Sequence, residues 1–435
     1  MTPPRALLVA WDYPHAEHST GAALARRVRQ VARGFAARGW IVDVISRDHF
    51  AARSSAGSVR MLADDADGAK VRIHCVGGPD GKPAERIGVL RIVSSAWHAL
   101  TMGDRTGRWA RVAMSYMGRG SIRRPDIVIG FFTPRGPLLA AAWASRYWTA
   151  PWIADLQDEW SQGSGGWLRP FVRRWMRRTL AGAGKVIQVS PEWAAMDRRA
   201  LGREVVVLRH ALPTAPMTLV RDGRIPGDEV TLLYSGSLNV DEQNPRPLLE
   251  ALRDVRAVSR NRTRFRLTIA CTEASFATWR READRVGVTD AIQWLGWLDP
   301  QQLENASHNA SALVLIPLST PERPGVPSKL FAYLATGRPV LIAGPDSGGL
   351  TSVFEEWGAP NVLCADAAAV RRALEGLEVG DLRLLLRRST LGRAPVDERE
   401  LGERYVQWAS ELVHGPSRPL FTTAGVRDPN LMERA

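Results

Sequence analysis

The run Gly325-Val326-Pro327-Ser328-Lys329-Leu330-Phe331-Ala332-Tyr333-Leu334-Ala335-Thr336-Gly337-Arg338-Pro339-Val340 carries the strongest local chemistry in the chain. An apolar strand pattern at 312–316 precedes it, and a helix is predicted to start near Ser328 and stop at Gly337. Free amides at a helix start, the helix dipole and the Lys329 ammonium together favour an anion. A capped helix with a solvated lysine fits the same residues, and the pattern alone leaves both readings open. Asp155 and Asp158 form a second cluster, just past an apolar strand pattern at 152–155. Residues at the carboxyl ends of such strands face clefts, although a helix cap or a structural ion pair suits Asp155 equally. The run Asp64-Asp65-Ala66-Asp67 has no His or further carboxylate at ligand spacing, and His15 with His18 makes no site, so no metal is read.

Elements that could hold these residues recur along the chain. Short apolar runs alternate with helical patterns across all 435 residues, the signature of parallel sheets covered by helices. Strands are predicted at 5–10, 41–46, 71–76, 126–131, 152–155, 185–189 and 205–208. A helix at 22–38 places Ala25, Val28, Ala32 and Phe35 on one face. Residues 53–70 and 118–124 read as polar loops. Ser190-Pro191 and Asp299-Pro300 each read as a cap followed by a first-turn proline. The stretch 213–228 is rich in Pro and Gly, and a second strand set follows at 230–235, 265–270, 292–294, 312–316, 339–342 and 362–364. The expected fold is α/β, two doubly wound Rossmann-like domains facing across a cleft. The expected division is a first domain at 1–215, a linker at 216–228 and a second domain at 229–390. A helix at 391–414 is expected to pack back on the first domain, leaving a tail at 415–435.

Composition narrows the class. With 45% hydrophobic and 24% charged residues, a wholly disordered chain is excluded. Cys75, Cys271 and Cys364 are far apart, odd in number and without CxxC spacing, which suits reduced core residues in a cytosolic protein. The first apolar run is too short for a signal-peptide core, and the stretch 137–154 is interrupted by Arg146 and Pro151. Any membrane contact is therefore expected to be peripheral. The net charge of +13 is uneven: residues 1–220 carry +15 and 11 of the 16 Trp, and residues 221–435 carry −2.

Taken in order, these segments resemble a known family. Pro327 to Val340 is similar to the "PSK-L-x-E-Y-x-x-x-G-x-PV" segment of family 4 glycosyltransferases with the GT-B fold, and most similar to the subgroup that builds bacterial surface polysaccharides. Asp12-Tyr13-Pro14 to Gly21 resembles the glycine-containing loop after the family's first strand. Pro125-Asp126-Ile127-Val128 through Thr133-Pro134, Asp155 to Trp160, Val189-Ser190-Pro191 and Tyr234-Ser235-Gly236-Ser237-Leu238 follow in family order. The likeness covers roughly residues 5–375.

The resemblance implies a nucleotide-diphosphate sugar held by the second domain and an acceptor held by the first. It implies that Gly236 and Ser237 approach the donor phosphates, where a missing side chain admits the backbone. Pro327, Ser328 and Lys329 would bind the pyrophosphate, Trp297 would stack near the base, and Gly348-Gly349 would lie beside the sugar. Ser19, Thr20 and Gly21 would close over the phosphates, with Thr133 and Asp155 on the acceptor side. The family retains anomeric configuration. A front-face transfer, in which a donor phosphate oxygen takes the acceptor proton, needs no enzymic nucleophile, and Asp158 is the candidate to orient or deprotonate the acceptor hydroxyl. No cofactor or metal is expected. The chain departs from the pattern at Gln157, where Arg is usual, and at Ala332 and Pro324, where the family has a pair of Glu. These losses imply either altered donor recognition or a GT-B protein that has lost catalysis and serves as a binding partner.

The positive charge has its own pattern. The segment 167–180 places Leu168, Phe171, Val172, Trp175, Met176 and Thr179 on one helical face, with Arg169, Arg173, Arg174, Arg177 and Arg178 around it. That mixture suits an interfacial helix on an anionic inner leaflet, and equally a helix packed on its own sheet with a solvated arginine face. Arg105 to Arg124 repeats the basic–aromatic mixture. No nucleic-acid module is recognisable, so a lipid-linked saccharide acceptor is expected rather than a nucleic acid.

Overall fold

The computed structural model describes residues 2–13, 23–47, 59–63, 71–77, 106–160, 169–212, 229–238, 243–258, 264–317, 326–345, 349–357, 361–364, 366–378 and 396–415. Ser19, Thr20, Gly21 and Gly348, the expected linker at 216–228 and the tail from 416 lie outside them.

The first half forms an eight-stranded sheet in the order β3-β4-β2-β1-β5-β6-β7-β8. Its strands are β1 Arg5–Val9, β2 Ile41–Arg47, β3 Val59–Ala63, β4 Val71–Val76, β5 Ile127–Phe132, β6 Trp152–Leu156, β7 Lys185–Gln188 and β8 Val206–Val207. Most are continuous apolar runs, as strands covered on both faces must be. All pair in parallel except β3 on β4. The edge strand β3 corrects the reading of 53–70 as a polar loop. It spans five residues, Val-Arg-Met-Leu-Ala, too short and mixed to stand out from its polar flanks.

Helix α1, Ala23–Ala37, packs on one face of this sheet. The helices α2 Gly107–Tyr116, α3 Arg135–Trp148, α4 Arg169–Leu180 and α5 Pro191–Leu201 pack on the other. Ser190 accepts a hydrogen bond from the Trp193 amide and caps α5, with Pro191 in its first turn.

The second half forms a six-stranded, wholly parallel sheet in the order β11-β10-β9-β12-β13-β14. Its strands are β9 Glu229–Ser235, β10 Arg264–Ala270, β11 Ile292–Gly296, β12 Ala312–Leu315, β13 Val340–Ala343 and β14 Asn361–Cys364. Helices α6 Arg246–Val258, α7 Glu273–Val286, α8 Pro300–Asn309, α9 Lys329–Ala335, α10 Gly349–Trp357 and α11 Ala367–Glu378 cover it. Asp299 and Gln302 close a reciprocal capping box at the start of α8.

The strand order reverses between β1 and β5 in the first sheet and between β9 and β12 in the second. Crevices open at such points, beyond the carboxyl ends of the strands. The last described helix, α12 Glu398–His414, returns to the first sheet, where Leu401, Tyr405, Trp408 and Ala409 join the same core as α1.

Candidate functional site

At the second switch point, β9 ends in Ser235 and the chain turns at Gly236, whose φ of +94° favours glycine. The Lys329 ammonium, at the start of α9, donates to the Ser235 carbonyl at 3.0 Å and lies 3.8 Å from the centre of the Tyr234 ring. A Cβ built on Gly236 would stand 3.9 Å from Lys329 Nζ. Tyr333, one turn along α9, accepts from the Ser235 amide at 2.8 Å, and the Tyr234 hydroxyl donates to the Ser237 carbonyl at 2.9 Å. Two tyrosines and one lysine thus fix the backbone of the 235–237 turn.

Burial lowers the Lys329 pKa to about 7, although the residue as a whole keeps partial exposure. A cation whose partners are a carbonyl and a ring has an unmet demand for negative charge. Ser328 and Pro327 stand beside it, half-buried, at the start of α9. That helix is only seven residues long and the Ser328 side chain makes no capping hydrogen bond. The positive character of this corner therefore comes from the ammonium more than from the predicted helix start.

Trp297 is 56% exposed and follows Gly296 at the end of β11, two strands from β9. No described contact joins it to Lys329. Gly349 begins α10 and is buried.

The acceptor-side residues divide. Asp158 follows β6 in a loop, partly exposed, its Oδ1 accepting from the Glu159 amide at 2.9 Å. Gln188, at the end of β7, donates to the Asp158 carbonyl at 3.4 Å and to Asp197 at 2.9 Å. Burial raises Asp197 to about 7; Gln188 opposes the rise and Glu159 adds to it. Thr133 follows β5, its Oγ1 shielded and without a hydrogen-bond partner among the described residues.

Asp155 lies inside β6 rather than past its end, which corrects its expected place facing the cleft. It is fully buried and pairs with the equally buried Arg27 of α1 at 2.7 Å. Arg27 also donates to the carbonyls of Arg209 and Leu208 and to the Tyr405 hydroxyl. Burial alone would lower the Arg27 pKa, but Asp155 and Tyr405 outweigh it and hold it raised. Asp155 is thus the anchor of a buried ion pair that joins β6, α1, α12 and the segment following β8. Arg27 was missed from sequence, being one of four arginines in α1, and only the fold reveals its partner.

Arg209 and His210 then reach the second half. Arg209 Nε donates to Glu356 of α10 at 2.5 Å and its Nη2 to Ser352 at 3.3 Å. The His210 ring meets Phe331 of α9 at 5.2 Å. Burial, then Arg27 and Arg26, push the His210 pKa well below the usual imidazole range.

On α4 the sheet takes Val172, Met176 and Thr179, with Trp175 partly covered. Phe171 departs from the expected face and is 50% exposed. Arg173, Arg174, Arg177 and Arg178 are exposed, with Arg177 bonded to the Ala200 carbonyl. Among the described residues no helix is long and apolar enough to cross a membrane.

Residues 22–209 match the "Glycosyl transferase 4-like domain" family and residues 229–378 match "Glycosyl transferases group 1". Together the two matches cover most of the chain and follow the division between its sheets. The chain belongs to the GT-B glycosyltransferases. Similar solved structures agree in fold. Sucrose-phosphate synthase from Thermosynechococcus elongatus has a TM-score of 0.56 at 16% identity, covering 95% of this chain and 95% of that one. The α,α-trehalose 6-phosphate synthase from Burkholderia multivorans has a TM-score of 0.60 at 12% identity, covering 94% and 99%. Anabaena HepE in complex with UDP has a TM-score of 0.55 at 14% identity, covering 94% and 100%. No curated protein matches the chain in sequence. In this glycosyltransferase, the Gly236–Lys329 corner stands at the switch point of the second sheet, and the Asp158 loop follows β6, one strand from the switch point of the first.

Proposed function

We propose that the enzyme moves a sugar, with retention of anomeric configuration, from a nucleotide-diphosphate sugar to a lipid-linked saccharide in surface-polysaccharide or glycolipid assembly. The observation that carries the reading is the Lys329 ammonium, half withdrawn from water beside the side-chain-free backbone of Gly236. A diphosphate resting on Gly236, Ser237 and Ser328 would receive the charge that this ammonium lacks a partner for, and the developing charge of the leaving group would be met there. The bound UDP of the HepE structure, a protein of the same fold, supports a nucleoside diphosphate as the donor's leaving group. Trp297 offers an exposed face for the base, and Gly349 lets the backbone of α10 approach the sugar. Asp158 would orient the acceptor hydroxyl while a donor phosphate oxygen takes its proton, so that the charge at the diphosphate is met by Lys329 and backbone amides without a metal. With Ala332 half-buried where the resembling family has Glu, the ribose would be held by other groups.

Calorimetric titration with UDP tests the donor site. Lys329→Ala should weaken binding at least tenfold, whereas unchanged affinity would remove the lysine from the site. A panel of nucleotide sugars, scored for transfer to lipid-linked and free saccharides, tests the acceptor class; transfer only to free saccharides would refute the lipid-linked acceptor.

A further inference from the structure

Four of the helical segments on one face of the first sheet share an unusual composition, whereas the fifth, α5, carries Glu192 and Asp197. Neither α2, the π-helical turn Met117–Ser121, α3 nor α4 contains a single Asp or Glu. Helices α6, α7 and α11 of the second half mix their charges, α6 with Glu250 and Asp254 and α7 with Glu273, Glu282 and Asp284 beside arginines. Arg119, Arg146, Arg173, Arg174 and Arg178 stand exposed on the outer side of this layer. None of the five is paired with a carboxylate among the described residues.

The same layer carries two of the five large hydrophobic side chains that stand exposed among the described residues, Tyr147 at 54% and Phe171 at 50%. Tyr147 stacks on Trp143 at 4.8 Å, so its ring is held outward on a firm aromatic base. The two lie at opposite ends of the layer. Both α3 and α4 run from the carboxyl ends of the strands to the amino ends, which places Phe171 near the cleft and Tyr147 at the far side. A helix of the length of α4 spans about 18 Å. Across α2, α3 and α4 the feature is therefore a face whose charged side chains are all arginines, with an exposed aromatic at each end.

We infer that this face is a docking surface for an anionic lipid bilayer, with Tyr147 and Phe171 entering the headgroup region and the arginines meeting the lipid phosphates. Arginine stems lie along apolar surface while their heads stay in water, and half-exposed aromatics favour the interface of bilayer and water. Each arginine near an anionic leaflet strengthens binding about fivefold. The proposal rests on the lipid-linked acceptor reading and deepens it. Trp175 of α4 meets Trp160, the residue two beyond Asp158, at 5.4 Å. A saccharide leaving the bilayer beside Phe171 would thus emerge next to the Asp158 loop.

Flotation of the full chain with vesicles tests the surface. We expect binding to phosphatidylcholine–phosphatidylglycerol vesicles, little binding to phosphatidylcholine alone, and weakening with added salt. Arg173→Ser with Arg174→Ser should lower affinity more than tenfold. Tyr147→Ser with Phe171→Ser should lower it about tenfold and remove the salt-resistant fraction. Unchanged thermal unfolding in both variants would show that the loss is local. Equal flotation of wild type and variants would overturn the proposal, as would binding of a DNA duplex, with the same arginine dependence, in place of vesicles. UDP titration of the same preparations separates the two readings. Loss of donor binding with flotation intact counts against the donor site, and the reverse counts against this surface.

Discussion

Lys329 shows how far residue types can be read and where they stop. Its position after a strand and before a helix announced an anion site, but the sequence left that open against a solvated lysine. In the structure, groups far apart in the chain set its surroundings: the Ser235 carbonyl and the Tyr234 ring, 94 and 95 residues away, draw the ammonium away from water. Asp155 shows the opposite outcome, since its type and spacing suited a cleft and its partner Arg27 lies 128 residues away. The Lys329 environment gives a pH signature. Burial holds the free ammonium near a pKa of about 7, and a bound diphosphate would raise it, so binding takes up a proton above pH 7. UDP affinity should therefore be greatest below pH 7 and fall by up to about tenfold per pH unit above it, until the raised pKa is reached. The terminal phosphate of UDP is already ionised in that range. Titration calorimetry between pH 6.5 and 9 measures the slope, and Lys329→Ala should abolish it; a pH-independent wild type would contradict the assignment.

At the scale of elements, strand positions were legible almost throughout, because parallel strands covered on both faces are continuous apolar runs. The short edge strand β3 was not, having only one neighbour and a mixed pattern. Periodicity likewise reveals which face of a helix is covered and not by what. Gly34 of α1 and Gly402 of α12 illustrate this, since nothing local distinguishes them from surface glycines. The two helices cross there: a Cβ built on Gly34 would lie 2.4 Å from Gly402 Cα, and one on Gly402 would lie 2.7 Å from Gly34 Cα. Both are backbone contacts, so relief requires the helices to part. Gly402→Ala should destabilise the protein by about 1–3 kcal/mol and Gly402→Val by more, read from denaturant midpoints. Helix propensity favours alanine over glycine by roughly 1 kcal/mol. A neutral or stabilising Gly402→Ala would show that propensity outweighs the crossing and that α12 docks loosely.

The whole molecule is joined where the chain passes between its sheets. The outgoing and returning chain segments meet at Leu212, whose amide donates to the Val396 carbonyl at 2.9 Å, and an isolated parallel bridge pairs Leu212 with Asp397. Just before this crossing, the backbone of Leu208 and Arg209 is held by Arg27 of the first half, while the Arg209 side chain holds Glu356 and Ser352 of the second. One short segment thus bears on the buried Asp155 pair, on α10 with Gly349, and through His210 on α9, which begins with Lys329. The +15 and −2 halves visible in the sequence are in this way mechanically linked, a connection that charge counting could not show. Arg209 is 3% exposed at its side chain and Glu356 31%, so water screens the pair on one side only. A double-mutant cycle of Arg209→Ala and Glu356→Gln should give a coupling of about 1 kcal/mol in stability. The single Arg209→Ala should cost more, because its Ser352 bond and buried packing are lost as well. If the link also positions α10 against the donor, Arg209→Ala will weaken UDP binding severalfold although Arg209 need not touch the nucleotide, and Glu356→Gln will do so to a smaller extent. A stability loss with UDP affinity unchanged would confine Arg209 to holding the two halves together.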